Sequence, residues 1–235
     1  APALRLIDEA CEATGGWVGP NPVGAGGAPG PFGFYQNKRF STGEGASITP
    51  DNATLARHCR ALRNQGRSQQ SSGRMRHDRL GYNYRLDEMS AALGCAQLDR
   101  LDTLLDRRAA VAAMYADALA PLSDDVARPV DPAGAERSWF VYVVRLRDHF
   151  APDARDQLMD RLQARGIGCA PYFPPIPLQP PYRNRFGFAP GDVPGCESVS
   201  ARTLALPFFG DMTRADVHRV AEALAEICPT LPRQS

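Results

Sequence analysis

Apolar and polar positions divide this chain into short strands and longer helices, separated by breaks rich in glycine and proline. Leu4–Ile7 is an apolar run that predicts a short buried strand, ending at the acidic pair Asp8-Glu9. Residues 15–31, GGWVGPNPVGAGGAPGP, hold too much glycine and proline for a regular element and predict a loop. Phe32–Tyr35 and Ala46–Thr49 predict two further short strands. Asp51 or Asn52 is placed to cap a helix that carries Leu55, Cys59 and Leu62 on one face and stops at Gly66. Residues 67–79 are arginine, serine, glutamine and glycine without a period, and predict a loop that is either mobile or ordered by a partner. Helical periodicity returns over about 86–119, with Met89, Leu93, Leu101 and Leu105 on one face. The spacing drifts, which predicts a core-facing helix rather than a coiled coil.

The stretch 120–137 is rich in proline, aspartate and glycine and predicts a domain boundary, leaving residues 1–120 and 121–235 as the two parts. Trp139–Leu146 alternates as a strand does. A helix from about 153, with Leu158 and Leu162 inward, ends at Gly166. After the proline-rich APYFPPIPLQPPY, Thr213-Arg-Ala-Asp216 has the form of a capping box opening a helix through Val217, Val220, Leu224 and Ile227. No internal repeat is present. The order of elements predicts an α/β protein: the end of one α/β domain followed by a smaller one.

Composition narrows the possible functions. The chain has 235 residues, 43% apolar and 23% charged, as in ordinary globular domains. Its net charge of +1 gives no basic field for nucleic acid. The arginines are spread along the sequence, mostly beside Asp or Glu, and read as solvated helix faces. Six cysteines lie far apart with no CxxC spacing, and four histidines form no HxxxH or HExxH group. This argues against a zinc site or a disulfide framework and fits a reducing cytoplasm. No apolar run approaches the length of a membrane span. No metal, nucleic-acid or membrane partner is therefore expected.

The distribution of amines sharpens the picture. Of 27 basic side chains, 26 are arginine and one is Lys38. A guanidinium stays protonated in water, whereas a lysine amine can lose its proton and attack a carbonyl to form a Schiff base. Lys38 lies in FGFYQNKRFSTGEG, where a strand delivers it to a turn and Gly43 and Gly45 allow the backbone to return. An acidic pair lies 29–30 residues upstream. A lysine for the aldehyde and a carboxylate for the pyridine nitrogen is an arrangement that suits pyridoxal phosphate.

FGFYQNKRFSTGEG resembles the cofactor-lysine motif of the DegT/DnrJ/EryC1/StrS aminotransferase family. RALRNQGR, followed by RLGYNYRLDEMSAALGCAQLDRLD, is similar to that family's next signature, and YFPPIPLQPPYRNRFGFAPGDVPGCESVSARTLALPFF to its C-terminal domain. The resemblance implies an aspartate-aminotransferase-like fold of which 1–120 is part of the large pyridoxal-phosphate domain and 121–235 the small C-terminal α/β domain. It also implies a homodimer with shared active sites and amino transfer, usually from glutamate, to a keto-sugar attached to a nucleotide. The products of such enzymes enter glycans and antibiotics.

By the motif match, Lys38 is the Schiff-base lysine and proton carrier. Ungapped counting puts Glu9 at the pyridine-nitrogen position, with Asp8 the other candidate. Glu12 stands where the family often has Gln or His near the cofactor's phenolic oxygen, or else is a helix-surface glutamate. Asn83 would reach the cofactor phosphate of the neighbouring subunit, or else cap the helix that starts near Leu86. Tyr172, Phe173 and Gln179 fall in the substrate-side segment, or else only pack.

The chain departs from the family pattern in four places. The usual Glu-Asp pair is Asp8-Glu9, Gly33 replaces a frequent phosphate-binding Ser, and Pro177 replaces a His. The family's upstream portion, with its phosphate-binding helix start, is not in the sequence, so the chain reads as a fragment that is inactive alone. Lys38 argues against the related sugar dehydratases, which replace the lysine. Glu9, Gly33 and Pro177 keep open a non-catalytic paralogue that binds pyridoxal phosphate or a nucleotide-sugar as a regulator or partner subunit.

Overall fold

The computed structural model describes residues 7–25, 29–50, 52–67 and 76–234. In chain order the strands are β1 Trp17–Val18, β2 Asn21–Pro22, β3 Gly30–Gly33, β4 Ala46–Thr49, β5 Val126–Ala127, β6 Ala135–Glu136, β7 Tyr142–Leu146, β8 Ala170–Pro171 and β9 Thr203–Leu206. The α-helices are α1 Ala53–Arg63, α2 Glu88–Leu98, α3 Leu101–Ala118, α4 Ala154–Ala164, α5 Pro180–Phe186, α6 Pro194–Arg202 and α7 Arg214–Ile227. They gather into two compact units, one of Ala1–Leu105 with Asp131–Phe140, the other of Asp106–Val130 with Val141–Ser235. The break thus falls inside α3 rather than near residue 120, and a ten-residue excursion rejoins the first unit.

In the first unit β3 and β4 pair antiparallel, Gly30 opposite Thr49 and Gly33 opposite Ala46. The pairing begins two residues before the strand expected at Phe32–Tyr35. The glycine-rich stretch expected to be loop instead holds the β1–β2 hairpin, which β6 joins antiparallel on the far edge of β1. Residues 4–6 of the expected first strand lie outside the described residues, and Ile7 is exposed and outside any strand. Asn52 caps α1 as expected, its side chain accepting from Thr54 N and Leu55 N, while Asp51 lies outside the described residues. The expected 86–119 helix is two helices. Asp87 caps α2, accepting from Ser90 N at 2.9 Å. At the other end Arg100 N bonds to Gln97 O, an i to i−3 contact that tightens the turn before α3. Of the expected 67–79 loop, residues 68–75 lie outside the described residues.

The second unit carries a four-stranded antiparallel sheet in the order β5-β7-β9-β8. Tyr142 of β7 sits opposite Leu206 of β9, and Val144 opposite Leu204. Alternate residues Tyr142, Val144 and Leu146 are buried, as the period of two requires. Leu158 and Leu162 of α4 and Val217, Val220, Leu224 and Ile227 of α7 complete this core. Tyr115 of α3 stacks on Tyr142 at 4.7 Å and donates its hydroxyl to Pro207 O at 2.7 Å. Burial pushes the Tyr115 phenol far above its ordinary value, and holds the Cys228 thiol up at about 12. The strand expected at Trp139–Leu146 starts only at Tyr142, because Trp139 and Phe140 belong to the first unit. The capping box of α7 forms: Thr213 Oγ1 accepts from Asp216 N at 3.2 Å and the Asp216 carboxylate accepts from Thr213 N at 2.9 Å.

Two expectations follow from this packing. Leu158 is fully buried, so Leu158→Ala is expected to lose about 2–5 kcal/mol in urea unfolding, through lost transfer energy and the cavity left behind. Hydrogen bonds from Thr213 hold the Asp216 carboxyl below its ordinary range. A depressed carboxyl stabilises the fold above its unfolded value, and that stabilisation is lost as pH falls through the folded value. Thr213→Val is therefore expected to be less stable than the parent at neutral pH, with the difference shrinking in acid below the ordinary Asp range. Unfolding midpoints across that range test this.

Candidate active site

Lys38 sits on a turn that the backbone closes tightly. Lys38 N donates to Tyr35 O at 2.9 Å, Thr42 N to Phe34 O at 3.0 Å and Phe34 N to Gly45 O at 2.8 Å. Gly43 and Gly45 have φ of 86° and 138°, where side chains are disfavoured. At Gly45 a Cβ would also come within 2.9 Å of Leu86. Below the turn Phe34 and Phe40 are buried with ring centroids 5.0 Å apart. Arg39 is buried as well and donates Nη2 to Ser138 O. The platform is therefore fixed by hydrogen bonds and two aromatic rings, and Lys38 is its one partly accessible cation, with 16% of its side chain exposed.

Lys38 Nζ donates to Glu12 Oε1 at 3.0 Å and lies 4.8 Å from the centre of the Phe140 ring. Glu12 comes from the turn that follows Asp8-Glu9, not from a helix surface. Phe140 comes from the excursion of residues 131–140, which also brings Ser138 to Arg39. Gly33, on β3, forms one wall: a Cβ there would lie 3.4 Å from Cys11 Sγ and 3.6 Å from Lys38 Cε, ordinary contact distances. An alanine could therefore stand where Gly33 does.

The acidic pair takes two different roles in the loop. Asp8 Oδ2 accepts from Gly24 N at 2.7 Å, tying the loop to the glycine-rich hairpin segment. Glu9 turns back and its Oε1 accepts from Cys11 N at 2.8 Å. Hydrogen bonds from Cys11, and to a lesser degree the nearby charge of Lys38, hold the Glu9 carboxyl below its ordinary value. The Cys11 thiol is pushed up, first by burial and then by Glu9. Lys38, Glu12, Cys11, Gly33 and Phe140 are thus one cluster, with Glu9 close enough to share its field. An amine held by a carboxylate, over an aromatic ring and beside an open glycine wall, is suited to meet an aldehyde on a flat ring. These residues fit pyridoxal phosphate at the lysine end.

The remaining expected site residues sit elsewhere. Asn83 is exposed and pairs through its backbone with Asn64. It does not cap α2, since Asp87 does. Tyr172, Phe173 and Gln179 belong to the second unit. There Tyr172 and Phe173 meet edge to face at 5.1 Å, and Phe173 has a positive φ of 52°. Gln179 O accepts from Tyr182 N and Arg183 N at the start of α5. Pro177 lies in a short 3₁₀ turn, Ile176–Leu178.

Phe140 and Arg39 were missed from the sequence. An aromatic placed inside an apparent strand carries no sign that it will cross to the lysine. Arg57, Arg60 and Arg63 of α1 are exposed, as read from the sequence, and with Arg76, Arg79 and Arg85 they line one cleft. Among the described residues no group of three or more His, Cys, Asp or Glu is arranged to hold a metal ion, and no helix is long and apolar enough to cross a membrane.

A lysine on such a turn, in an α/β chain with a small antiparallel sheet, presents an amine able to meet an aldehyde. The chain belongs to the DegT/DnrJ/EryC1/StrS aminotransferase family, whose pattern matches residues 2–225. It is 34% identical over 224 residues to GDP-perosamine synthase of Caulobacter vibrioides, covering 95% of this chain and 59% of that protein. Its fold superposes on S. venezuelae DesV, solved in complex with a ketimine intermediate, with a TM-score of 0.85 and 32% identity, over 95% of this chain and 57% of DesV. A DegT DnrJ EryC1 StrS aminotransferase from Brucella abortus gives a TM-score of 0.81 at 29% identity, over 94% and 57% of the two chains. The chain thus spans somewhat over half the length of these relatives. Aminotransferases of this family use pyridoxal phosphate.

The glycine walls can be tested separately. Gly33→Ala is expected to change unfolding free energy by no more than about 0.5 kcal/mol, since a Cβ has room there. Gly45→Ala is expected to cost more than about 1 kcal/mol, from the disfavoured φ and the contact with Leu86. Denaturant titrations of the two variants provide the comparison.

Proposed function

We propose that this chain carries the lysine-bearing part of a pyridoxal-phosphate-dependent sugar aminotransferase. Its amino donor is glutamate and its acceptor a keto-sugar linked to a nucleotide. The observation that carries the reading is Lys38 itself: the one lysine of the chain, on the family's lysine motif, with Nζ 3.0 Å from Glu12 and over the Phe140 ring. The name of the Caulobacter relative, GDP-perosamine synthase, supports a sugar carried on a nucleotide.

Pyridoxal phosphate, when bound, supplies the electron sink that lets a Cα–H bond ionise and an amino group change hands. The chain's own residues supply the rest. Lys38 Nζ would hold the cofactor through its aldehyde and, when free, would carry the proton. Glu12 Oε1 accepts a hydrogen bond from Nζ and fixes its direction. Phe140 keeps water from one side of the amine. Glu9, an ionised carboxylate in this cluster, is the candidate for the pyridine nitrogen, with Asp8 the alternative. To serve there, Glu9 gives up its bond to Cys11 N. Asn83 reaches the cofactor phosphate of a second subunit in this reading. The exposure of Leu80, Tyr82, Tyr84 and Met89 around it, from 55% to 86%, supports a homodimer. Tyr172, Phe173 and Gln179 are assigned to the sugar side. The first unit belongs to the cofactor-binding domain and the second to the small domain, in an enzyme of the cytoplasm.

A second reading is favoured by two observations: Glu9 is satisfied by its own loop, and Pro177 stands where the family has a His. That reading is a paralogue that binds the cofactor or nucleotide-sugar without turnover. Borohydride reduction of the full-length gene product with pyridoxal phosphate, followed by peptide mapping, is expected to fix the cofactor on Lys38 and to fail in Lys38→Arg. Glutamate is then expected to bleach the visible Schiff-base band. A folded protein with no band overturns the aminotransferase reading, and a band that glutamate leaves unchanged supports the paralogue.

A further inference from the structure

The residues gathered at the Lys38 amine share one electrostatic property. Glu12 Oε1 stands 3.0 Å from Nζ, and the centre of the Phe140 ring 4.8 Å from it. A carboxylate and the face of an aromatic ring both favour a positive charge beside them. The Lys38 side chain is mostly buried, so water supplies little of the solvation that a cation there needs. Glu9, held below its ordinary value chiefly by hydrogen bonds from Cys11, is an anion whose field reaches Lys38. The Cys11 thiol, pushed up first by burial and then by Glu9, stays neutral and adds no charge. Asp8 turns away to Gly24 N. The Arg39 guanidinium lies 5.8 Å from the centre of the Phe140 ring and opposes a second cation there, while its Nη2 donates to Ser138 O. A glutamine at 12 and a leucine at 140 would keep an acceptor and an apolar neighbour for Nζ and remove the preference for charge.

We infer that Glu12 and Phe140 act together to keep the Lys38 nitrogen protonated once it is joined to an aldehyde, an inference that rests on the reading of Lys38 as the Schiff-base lysine. Direction and shielding, the parts given to these two residues above, could be met by neutral side chains. A negative charge and a ring face at these distances could not be replaced so. An imine nitrogen is a much weaker base than an amine, and burial weakens it further, so its proton has to be held by its neighbours. The proton has a chemical use. A positive nitrogen withdraws electrons from the carbon bonded to it, and that carbon is where an amino donor must add. Glu12 acts here by direct contact with Nζ. Arg39 is a positioning residue: its bond to Ser138 O and its place at the ring hold the segment that carries Phe140.

The test is a pH titration of the visible spectrum of the full-length gene product loaded with pyridoxal phosphate, in the parent and in Glu12→Gln, Glu12→Asp, Phe140→Leu and Phe140→Tyr. The protonated form absorbs at longer wavelength, so the midpoint of the colour change reports the proton on the nitrogen. Removing a group that favours the cation lets the proton leave at lower pH. Glu12→Gln is expected to lower the midpoint by about one unit, the low end for an opposite charge in contact, because Glu12 is 42% exposed. Phe140→Leu is expected to lower it by about half a unit to one unit. Glu12→Asp and Phe140→Tyr, which keep the charge and the ring, are expected to stay closer to the parent. A general structural defect would weaken the band and leave its midpoint in place. Midpoints of Glu12→Gln and Phe140→Leu that coincide with the parent's overturn the proposal, as does a shift to higher pH. Glu12→Gln, an isosteric change at a partly exposed side chain, decides alone if Phe140→Leu does not fold. Borohydride fixing the cofactor on Lys38 with coincident midpoints leaves the aminotransferase reading standing and removes this one. A folded protein whose Lys38 takes no cofactor overturns both.

Discussion

The site depends on the closure of one turn. Between Phe34 and Gly45 the backbone reverses with two hydrogen bonds, Phe34 N to Gly45 O and Thr42 N to Phe34 O, at 2.8 and 3.0 Å. Side chains at residues 43 and 45, whose φ values are positive, would strain this closure. With the turn closed, Phe34 and Phe40 meet beneath it and Arg39 is drawn inward to Ser138 O. Lys38, one residue before Arg39, is then left facing Glu12 and Phe140. The direction of the amine is a consequence of backbone geometry two glycines away, and this is how a flexible four-carbon side chain comes to have a defined position.

The two units hold together in different ways. Among the described residues, the twelve largest fully buried side chains, from Val111 to Leu224, all belong to the second unit. Its four-stranded sheet covers one face with α4 and α7, and hydrophobic burial dominates its stability. The first unit has a two-stranded and a three-stranded sheet, and sheets that small are marginal without further packing. Its order around Lys38 comes instead from local hydrogen bonds: Asp8 to Gly24, Glu9 to Cys11, Gln97 to the backbone of Ser41. A site resting on such contacts opens locally more easily than one set in a dense core. That suits the exchange of Glu12 for a carbonyl partner proposed for Lys38.

What could be read from the sequence followed the range of the interaction. Asn52 as the cap of α1, Thr213 and Asp216 as a capping box, and the pairing of Ala46–Thr49 are local, and their signals lie within four residues or at a strand's own period. Lys38 was legible because its chemistry is unlike that of 26 arginines and because the motif around it is specific. The β1–β2 hairpin was hidden because glycine and proline report the absence of local preference, while β6, more than a hundred residues away, supplies the pairing. Phe140 and Ser138 were invisible for the same reason: their role depends on ten residues leaving one unit for the other. Glu12 had two readings, near the cofactor or on a helix surface, and the turn after Glu9 aims it at Lys38.

The separation of lysine from arginine also makes sense once both places are seen. A guanidinium binds an anion in two directions at once and stays charged at any physiological pH, so it holds phosphate without joining in the chemistry. An amine can join in, and would compete for an aldehyde wherever it stood. In this chain seven arginines are among the residues that line the cleft by α1, and the single lysine stands at the Glu12 and Phe140 cluster. Within this chain, an aldehyde meets one lysine amine, and it stands on the turn closed by Gly43 and Gly45. Exchanging Arg63 for Lys would keep its charge but lose the planar fork and give this chain a second amine, so the two residue types are not interchangeable at either position.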